Sequence, residues 1–203
     1  MKARVAVVVA ALLLASACTS SEPASTKPTF GGGPGTTVAP DDLAAAKAAA
    51  GIEDCPEAGD RRAEDLPDIT LECLGGGTPV DLSELTGVPT VINLWASWCK
   101  PCKKELPFLA RADDEYGDAL RIIGIDYKDE SPDAAIELAR ASGVTYPQLV
   151  DQDEKTVAAL KVAGLPQTVF VDAQGTIVAT ERIAYRSYAE LSAAIERHLG
   201  VTP

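Results

Sequence analysis

Positive charge and histidine are scarce in this chain. The 203 residues carry 18 lysines and arginines against 30 aspartates and glutamates, a formal net charge of −12, and they include one histidine. No cluster of lysine and arginine is present to neutralise phosphates, so we predict no nucleic acid partner. Hydrophobic residues make up 46% of the chain and charged residues 24%. That composition is too apolar for a disordered chain and predicts a globular protein.

A membrane-spanning hydrophobic run is also missing at the start of the chain. The apolar run at residues 5–16 has twelve residues, whereas a spanning helix needs about 20. It follows Lys2 and Arg4, and a charged start before a short apolar run is typical of a secretory signal. Residues 14–18, LASAC, resemble a bacterial lipobox. We therefore predict a lipoprotein signal peptide over 1–17 with lipid attachment at Cys18; the alternative is a secreted protein without an anchor.

The rest of the chain divides into three predicted parts. Residues 18–40 are rich in serine, threonine, proline and glycine, which is typical of a flexible tether. An alanine-rich helix is predicted from Asp41 until Gly51 ends it, and it belongs to an N-terminal extension over 41–62. The folded domain is predicted over 63–203.

Strand and helix signals alternate through that domain. Apolar or alternating runs predict strands at residues 69–73, 89–95, 120–126 and 148–150, and a β-hairpin made of 167–171 and 176–183. Helix starts and stops predict helices at residues 99–116, 131–143, 154–162 and from Ser187 onward. This alternation predicts an α/β fold with a mixed sheet.

The candidate active site is the Cys-x-x-Cys pair of Cys99 and Cys102. It directly follows a predicted buried strand and opens a helix, where unsatisfied N–H groups and the helix dipole stabilise a thiolate on an exposed Cys99. Cys102 lies one turn on, within reach of a disulfide. The alternative is half of a zinc site, which needs two more ligands. The single histidine, His198, falls in the last helix, and Cys55 and Cys73 are not a second close pair, so we predict thiol–disulfide chemistry with no metal and no cofactor.

Two segments resemble the thioredoxin superfamily, and within it the extracytoplasmic TlpA/ResA-like disulfide reductases. They are residues 93–107, NLWASWCKPCKKELP, and residues 164–170, GLPQTVF. The resemblance covers residues 63–200 and implies a thioredoxin-like fold, with a central mixed sheet flanked by helices. It also implies an extra helix and strand, which residues 132–150 match.

Four residues around the cysteine pair are assigned to substrate binding. The resemblance implies that the Leu165–Pro166 peptide bond is cis and lies beside the active cysteines. A substrate peptide would then pair with the backbone of Leu165 by strand addition. Trp98 precedes the pair and Pro101 lies within it, so both belong to the same predicted surface.

Glu105 is the candidate proton acceptor. It follows Cys102 by three residues, on the neighbouring turn of one helix face. It matches the acidic residue that TlpA/ResA-like proteins use near their active site, while Asn93 stands where cytoplasmic thioredoxins have a buried aspartate. A partly buried carboxylate there is expected to have a raised pKa and to take the proton of Cys102. The alternative is a solvated glutamate paired with Lys103 or Lys104.

The remaining cysteines predict a second disulfide. If Cys18 carries lipid and the Cys-x-x-Cys pair is oxidised, only Cys55 and Cys73 are left. A bond between them would tie the N-terminal extension to the first strand and stabilise the fold by about 3 kcal/mol. The alternative is a second redox pair that relays electrons. The two cysteines lack close spacing and a helix start, so we favour the structural role.

Together these features favour a thiol–disulfide oxidoreductase tethered to the extracytoplasmic face of a bacterial cell membrane. Its predicted partners are exported proteins with thiols or disulfides and a membrane protein that donates or accepts electrons. A reductase in cytochrome c maturation and an oxidant in protein folding use the same two cysteines, and we favour the reductase. A peroxiredoxin usually has a threonine three residues before its peroxidatic cysteine. The residue three positions before Cys99 is Ala96, so a peroxiredoxin is disfavoured. A copper metallochaperone is disfavoured because such proteins typically use Cys-x-x-x-Cys spacing.

Overall fold

The computed structural model describes residues 39–57, 59 and 61–203. The predicted signal peptide, the lipid site Cys18 and nearly all of the predicted tether lie outside these residues. Within the described part of the chain, no helix is long and apolar enough to cross a membrane. The boundaries of the tether and of the N-terminal extension remain predictions.

A mixed sheet organises the described residues. Its seven strands are β1 (Thr70–Cys73), β2 (Val80–Asp81), β3 (Thr90–Trp95), β4 (Arg121–Tyr127), β5 (Gln148–Asp151), β6 (Gln167–Val171) and β7 (Ile177–Glu181), in the spatial order β2-β1-β5-β4-β3-β6-β7. The α-helices are α1 (Pro40–Ala50), α2 (Cys102–Tyr116), α3 (Pro132–Ala141) and α4 (Tyr188–Leu199). β3, β4 and β5 run parallel, and the other neighbouring strands pair antiparallel. The α/β class, the mixed sheet and the inserted α3–β5 unit are as predicted.

The central strand β3 carries the core on both of its faces. All six of its residues are buried, as expected of a continuous apolar run in a parallel part of a sheet. Successive side chains point to opposite faces. Val91 and Trp95 therefore join the cluster formed with α2 and α4, and Ile92 and Leu94 join the cluster on the other face.

The active-site turn precedes α2. The helix begins at Cys102, three residues later than predicted, and ends at Tyr116. The backbone N–H of Lys103 nevertheless donates to the carbonyl of Cys99 over 3.2 Å. The first hydrogen-bonded turn therefore already starts at Cys99, and the difference concerns only where regular helix begins.

Residues 154–162 form a series of turns, so the predicted helix there is wrong. Glu154 and Lys161 have positive φ angles of 58° and 50°, and left-handed residues interrupt a right-handed helix. The stretch between them is too short for a stable helix. The Asp151 carboxylate instead accepts the N–H groups of Lys155 and Thr156 over 2.8 and 2.9 Å.

Two predicted helix starts are capped differently. The Ser187 hydroxyl accepts the N–H of Glu190 over 3.2 Å, which is the expected cap of α4. Ser131 occupies the same position before α3 but makes no such side-chain bond. Its own N–H donates to the Asp129 carboxylate over 3.1 Å, so an acidic side chain outside the helix orders that start.

The N-terminal extension joins the same folded unit as the sheet. Cys55 and Cys73 form the predicted disulfide, with Cα atoms 6.1 Å apart. The N–H of Glu53 donates to the carbonyl of Thr145 over 2.7 Å, and α1 packs against α3. A covalent bond, a backbone hydrogen bond and a helix contact therefore all link this extension to the domain.

Gly124 in β4 generates a prediction about packing. A Cβ at this position would overlap the amide group of Gln148, whose Oε1 accepts the indole N–H of Trp95 over 2.9 Å. We expect Gly124→Ala to lower the free energy of unfolding by about 2 kcal/mol, through overpacking and the loss of this bond. Urea unfolding measures the change.

The matched control for this substitution is Gly164→Ala, because a Cβ there meets nothing within 4 Å. We expect the control to change the free energy of unfolding by less than about 0.5 kcal/mol. Equal losses in the two variants would contradict the packing argument.

Candidate active site

Cys99 and Cys102 form a disulfide between the end of β3 and the start of α2, with Cα atoms 5.3 Å apart. Cys99 is 4% exposed and Cys102 is 0% exposed. The expectation of an exposed Cys99 is therefore wrong in degree, because the turn before α2 covers most of it. Of the two residues only Cys99 retains accessible surface, which favours Cys99 as the one that meets an incoming thiol or disulfide.

The backbone around the pair favours a thiolate on Cys99. The N–H of Cys102 donates to the Cys99 Sγ over 3.3 Å. A thiolate is a stronger acceptor than a disulfide sulfur, so this bond strengthens when the pair is reduced. The start of α2 adds the positive end of the helix dipole. The sequence-based placement of the nucleophile thus has a matching hydrogen bond.

Glu105 lies fully buried on α2, one turn after Cys102. Its Oε1 accepts from the Asn93 side-chain amide over 2.9 Å, and its Oε2 accepts the backbone N–H of Tyr185 over 3.1 Å. Burial raises the pKa of this carboxyl from 4.5 to about 7, and the two hydrogen bonds offset part of the rise. The predicted burial and raised pKa are confirmed, and burial excludes the alternative of a solvated surface charge. Its role in proton transfer remains a prediction.

Asn93 connects β3 to this carboxyl. It is fully buried, and within the described residues its Oδ1 has no protein hydrogen-bond partner. An aspartate at this position would set two carboxyl groups against each other and raise their pKa values further. The amide instead donates a hydrogen bond, so Glu105 is the one titratable group of this contact.

Asp129 holds the active-site turn from the side of β4. Its carboxylate accepts the N–H of Ser97 over 2.5 Å and that of Ser131 over 3.1 Å. The indole N–H of Trp98 donates to the carbonyl of Lys128 over 3.1 Å. Trp98 is nevertheless 58% exposed. Sequence reasoning missed Asp129. Its position just beyond a parallel strand was the available signal, because the carboxyl ends of parallel strands meet at one edge.

Asp126 is a second buried carboxyl at this edge, and sequence reasoning missed it too. It lies in β4 directly opposite Trp95 and is 0% exposed. Burial, followed by the neighbouring Asp129 carboxylate, raises the pKa of Asp126 to about 9. Asp126 is therefore neutral at pH 7, and the two backbone N–H groups are bound by the Asp129 carboxyl group instead.

The predicted substrate-binding residues gather at the same sheet edge. The Leu165–Pro166 peptide bond is cis, as the resemblance implies. Gln167 pairs antiparallel with Leu94 of β3, so the preceding proline lies beside the strand end that leads to the cysteines. Pro101 is exposed, Leu165 half-buried and Pro166 buried. Their contacts with substrate remain predictions.

His198 has a structural environment. Its Nε2 lies 2.8 Å from the Glu181 carboxylate, and its ring packs against Phe170 with centroids 4.7 Å apart. Across the residues that the structure describes, no group of three or more histidine, cysteine or acidic side chains is arranged to hold a metal ion. The copper alternative therefore gains no support from His198.

The mixed sheet, the inserted helix and strand, and a Cys-x-x-Cys disulfide at a helix start define a thioredoxin-like fold. A secreted disulfide oxidoreductase of Mycobacterium tuberculosis, described as homologous to E. coli DsbE, superposes with a TM-score of 0.60. It is 27% identical, and the match covers 66% of this chain and 99% of that chain. The AhpC/TSA family pattern matches residues 63–180, more than half of the sequence. The protein belongs to the AhpC/TSA family.

Named relatives share the domain but only part of their length aligns. The thiol-disulfide oxidoreductase ResA of Bacillus subtilis is 31% identical over 115 residues, which cover 56% of this chain and 63% of ResA. The thiol:disulfide interchange protein DsbE of Allochromatium vinosum is 39% identical over 93 residues, which cover 46% of this chain and 50% of DsbE. The chain thus spans less than two thirds of either relative.

The raised pKa of Glu105 predicts how stability depends on pH. Between 4.5 and about 7 the folded state keeps a proton on Glu105 that the unfolded chain has released. The free energy of unfolding should therefore fall as the pH rises through this window, by about 3 kcal/mol from this group. The glutamine of the Glu105→Gln variant cannot ionise. Between pH 4 and pH 8 the free energy of unfolding of this variant should therefore fall less than that of the wild type, by about that amount.

Urea unfolding of the oxidised proteins at both pH values measures this difference. The Asp126 contribution has the same sign, is present in both proteins and cancels in the comparison. Glu196→Gln, at an exposed glutamate of α4, is the control and should keep the wild-type dependence. An unchanged dependence in Glu105→Gln would refute the assignment.

Proposed function

We propose that this protein is a membrane-tethered, extracytoplasmic thiol–disulfide reductase of exported proteins, including those handled in cytochrome c maturation. The observation that carries the proposal is the Cys99–Cys102 disulfide at a helix start, one turn from a buried carboxyl with a pKa near 7. The names of the relatives, a thiol-disulfide oxidoreductase and a thiol:disulfide interchange protein, support the reaction class. No cofactor enters this chemistry.

The reaction is a two-step exchange. In the reduced protein the Cys99 thiolate attacks one sulfur of a substrate disulfide, and the other substrate sulfur leaves as a thiolate. Cys102 then attacks the Cys99 Sγ of the mixed disulfide, which releases the second substrate sulfur and forms the Cys99–Cys102 bond. Two electrons pass to the substrate. A membrane protein with a dithiol then restores the reduced pair.

Glu105 supplies the proton acceptor for the second step. Cys102 is fully buried, so bulk water has no direct access to its thiol. A carboxyl with a pKa of about 7 is present in both protonation states near neutral pH, which suits a group that must take up and return a proton. The bonds from Asn93 and Tyr185 fix both oxygens, so the acceptor keeps one orientation through the reaction.

The substrate would dock across the edge where the turn and the cis-proline segment lie together. Trp98 is 58% exposed while its indole N–H is held by Lys128, so the ring offers a fixed apolar surface. Leu165 directly precedes β6 and leaves a backbone edge at which an extended peptide can pair. Pro101 and Pro166 complete the proposed surface.

Tethering follows from the sequence of the first 40 residues. Lipid on Cys18 would hold the protein at the outer face of the cell membrane, and residues 18–40 would link it to the domain. A flexible segment of that length has a root-mean-square span of roughly 25 Å. That span keeps the active site close to a membrane-embedded electron partner. The direction of exchange depends on the reduction potential of the pair, which equilibration with glutathione measures.

Substitution of each cysteine tests the assigned roles. Cys102→Ser removes the resolving thiol while Cys99 can still attack, so this variant should accumulate mixed disulfides with exported proteins. Cys99→Ser is the matched control and should trap almost none, because Cys102 is buried. Non-reducing electrophoresis with mass spectrometry of the adducts measures the difference. Equal trapping by both variants would overturn the assignment.

Substitution of the carboxyl tests the proposed proton transfer. Glu105→Gln keeps the shape of the side chain but cannot accept a proton, so mixed-disulfide resolution should slow by about tenfold or more near pH 7. The titration of the Cys99/Cys102 pair should shift as well. Rapid-mixing decay of a preformed mixed disulfide gives the rate, with Glu196→Gln as the control. A wild-type rate from pH 6 to pH 8 would reduce Glu105 to a structural residue.

A further inference from the structure

The ammonium group of Lys47, in α1, is buried against the second disulfide. Its side chain is 7% exposed. Nζ lies 2.8 Å from Asp54 Oδ1, 3.0 Å from the carbonyl of Gly76 and 3.5 Å from the Sγ of Cys73. An ammonium group has three N–H donors. Each donor thus has one acceptor, and the third acceptor is a disulfide sulfur.

The glycine run after β1 makes this contact possible. A Cβ at Gly75 would come within 2.7 Å of the Lys47 Cβ, and the φ angle of Gly75 is +74°. A side chain at this position would therefore push the turn away from the lysine. A cavity of about 520 Å³, lined by residues that include Lys47, Asp54 and Gly77, opens beside this contact. Lys47 therefore lies between this cavity and Cys73.

The other sulfur has an environment of the opposite kind. The Sγ of Cys55 lies 3.6 Å from the backbone carbonyl oxygen of Gln148. A carbonyl oxygen can accept a hydrogen bond from a thiol but repels a thiolate, so this contact favours the protonated form of a reduced Cys55. Cys55 is 8% exposed and Cys73 is 4% exposed. Cys73, the cysteine beside the ammonium group, is therefore the less exposed residue of the two.

Although cysteine spacing alone favours a structural role, the contact with Lys47 leads us to propose that Cys55–Cys73 is a second, reducible thiol–disulfide centre of fixed polarity. In this centre Cys55 is attacked and Cys73 leaves as a thiolate paired with Lys47. The reductant is a dithiol, such as a reduced Cys-x-x-Cys pair of another protein. One thiolate of the dithiol bonds to the Cys55 Sγ, and the electrons of the broken S–S bond go to the Cys73 Sγ. The second thiol of the reductant then attacks the reductant sulfur that is bonded to Cys55. This step forms the disulfide of the reductant and releases the Cys55 Sγ, which takes a proton.

The balance of this exchange is two electrons from the dithiol, which becomes a disulfide. Departure is faster from the sulfur whose thiol has the lower pKa, and an adjacent ammonium group lowers the pKa of a thiol. The covalent link between the N-terminal extension and β1 opens, while Lys47 retains the Cys73 thiolate. This inference holds whether or not the Cys99/Cys102 pair acts as a reductase.

Alkylation of the full-length protein, reduced with dithiothreitol, tests the polarity. Iodoacetamide reacts with thiolates, so the rate at each cysteine as a function of pH reports its titration. We expect Cys73 to reach half of its maximal rate at least one pH unit below Cys55. No lysine or arginine lies between Cys73 and Cys99, and trypsin does not cleave between Lys100 and Pro101, so fragment ions are needed to separate Cys73 from Cys99 and Cys102 in one tryptic peptide. Coincident midpoints for Cys55 and Cys73, or a lower midpoint for Cys55, would overturn the proposal.

Three variants assign the effect to the ammonium group. Lys47→Met keeps the length of the side chain and should slow Cys73 alkylation at pH 7 by about tenfold. Lys155→Met removes the same charge at an exposed lysine and should leave the rate unchanged. Asp54→Asn, at a carboxylate whose side chain is 94% exposed, removes the competing anion and should speed the reaction. A Cys73 rate that is the same in Lys47→Met and in wild type would contradict the proposal, and if Lys47→Met does not fold, Asp54→Asn and the wild-type profile decide.

The site of attack has its own readout. When oxidised protein is treated with glutathione, the mixed disulfide should form on Cys55, because Cys73 is the sulfur that leaves. Mass spectrometry of the quenched protein locates the adduct. Glutathione found mainly on Cys73 would reverse the assigned polarity and refute the proposal.

Discussion

Cys102 is fully buried at the start of α2, so in the proposed exchange the protein itself must supply the group that takes its proton. That requirement fixes much of the surrounding architecture. Glu105 can serve only if it too is buried, and a buried carboxylate needs hydrogen bonds that only neighbouring elements can provide. Asn93 of β3 and the backbone of Tyr185, before α4, supply them. Glu105 on α2 is thus held by β3 and by the segment before α4, which come from distant parts of the chain, and its pKa near 7 is a consequence of how they pack.

Two buried carboxyl groups flank the reactive turn, and their environments separate their protonation states. Glu105 accepts two hydrogen bonds and has a pKa of about 7, whereas Asp126 lies next to another carboxylate and has a pKa of about 9. Two carboxyl groups whose pKa values differ in this way can have different protonation states, and so different roles, at the same pH. Asp126 stays neutral near pH 7, and the neighbouring Asp129 accepts the N–H groups of Ser97 and Ser131. The pKa of Glu105 suits it to proton transfer near neutral pH, whereas the hydrogen bonds of Asp129 order the active-site turn.

The sequence predicted the elements that periodicity and end signals define. β3 and β4 are mostly apolar runs of strand length, and α4 has its Ser187 cap, so local residues decide these elements. The helix predicted at 154–162 is wrong because Glu154 and Lys161 adopt left-handed backbone conformations, which no helix start or stop signal in the sequence indicates. The cysteine pair and Glu105 were found from spacing and resemblance. Other roles depend on tertiary contacts between distant segments, which spacing along the chain cannot reveal. They are the roles of Asn93 as a donor and of Asp126, Asp129 and Lys47.

In each of the two disulfides of the described chain, one sulfur accepts a hydrogen bond from an N–H donor, but the two donors differ in kind. At the active site the donor to the Cys99 Sγ is the backbone N–H of Cys102, which is fixed by the helix start. At the second disulfide the donor to the Cys73 Sγ is a side-chain ammonium that also binds Asp54, an exposed carboxylate whose pKa is lowered by that same lysine. A backbone donor cannot be tuned by substitution, whereas a lysine shared with a surface carboxylate can.

Gln148 lies between the two disulfides, with its backbone carbonyl beside Cys55 and its side chain bonded to Trp95 at the end of β3. Because β5 is hydrogen-bonded to both β1 and β4, any movement of β1 when the second disulfide opens must be accommodated by the strand that carries this glutamine.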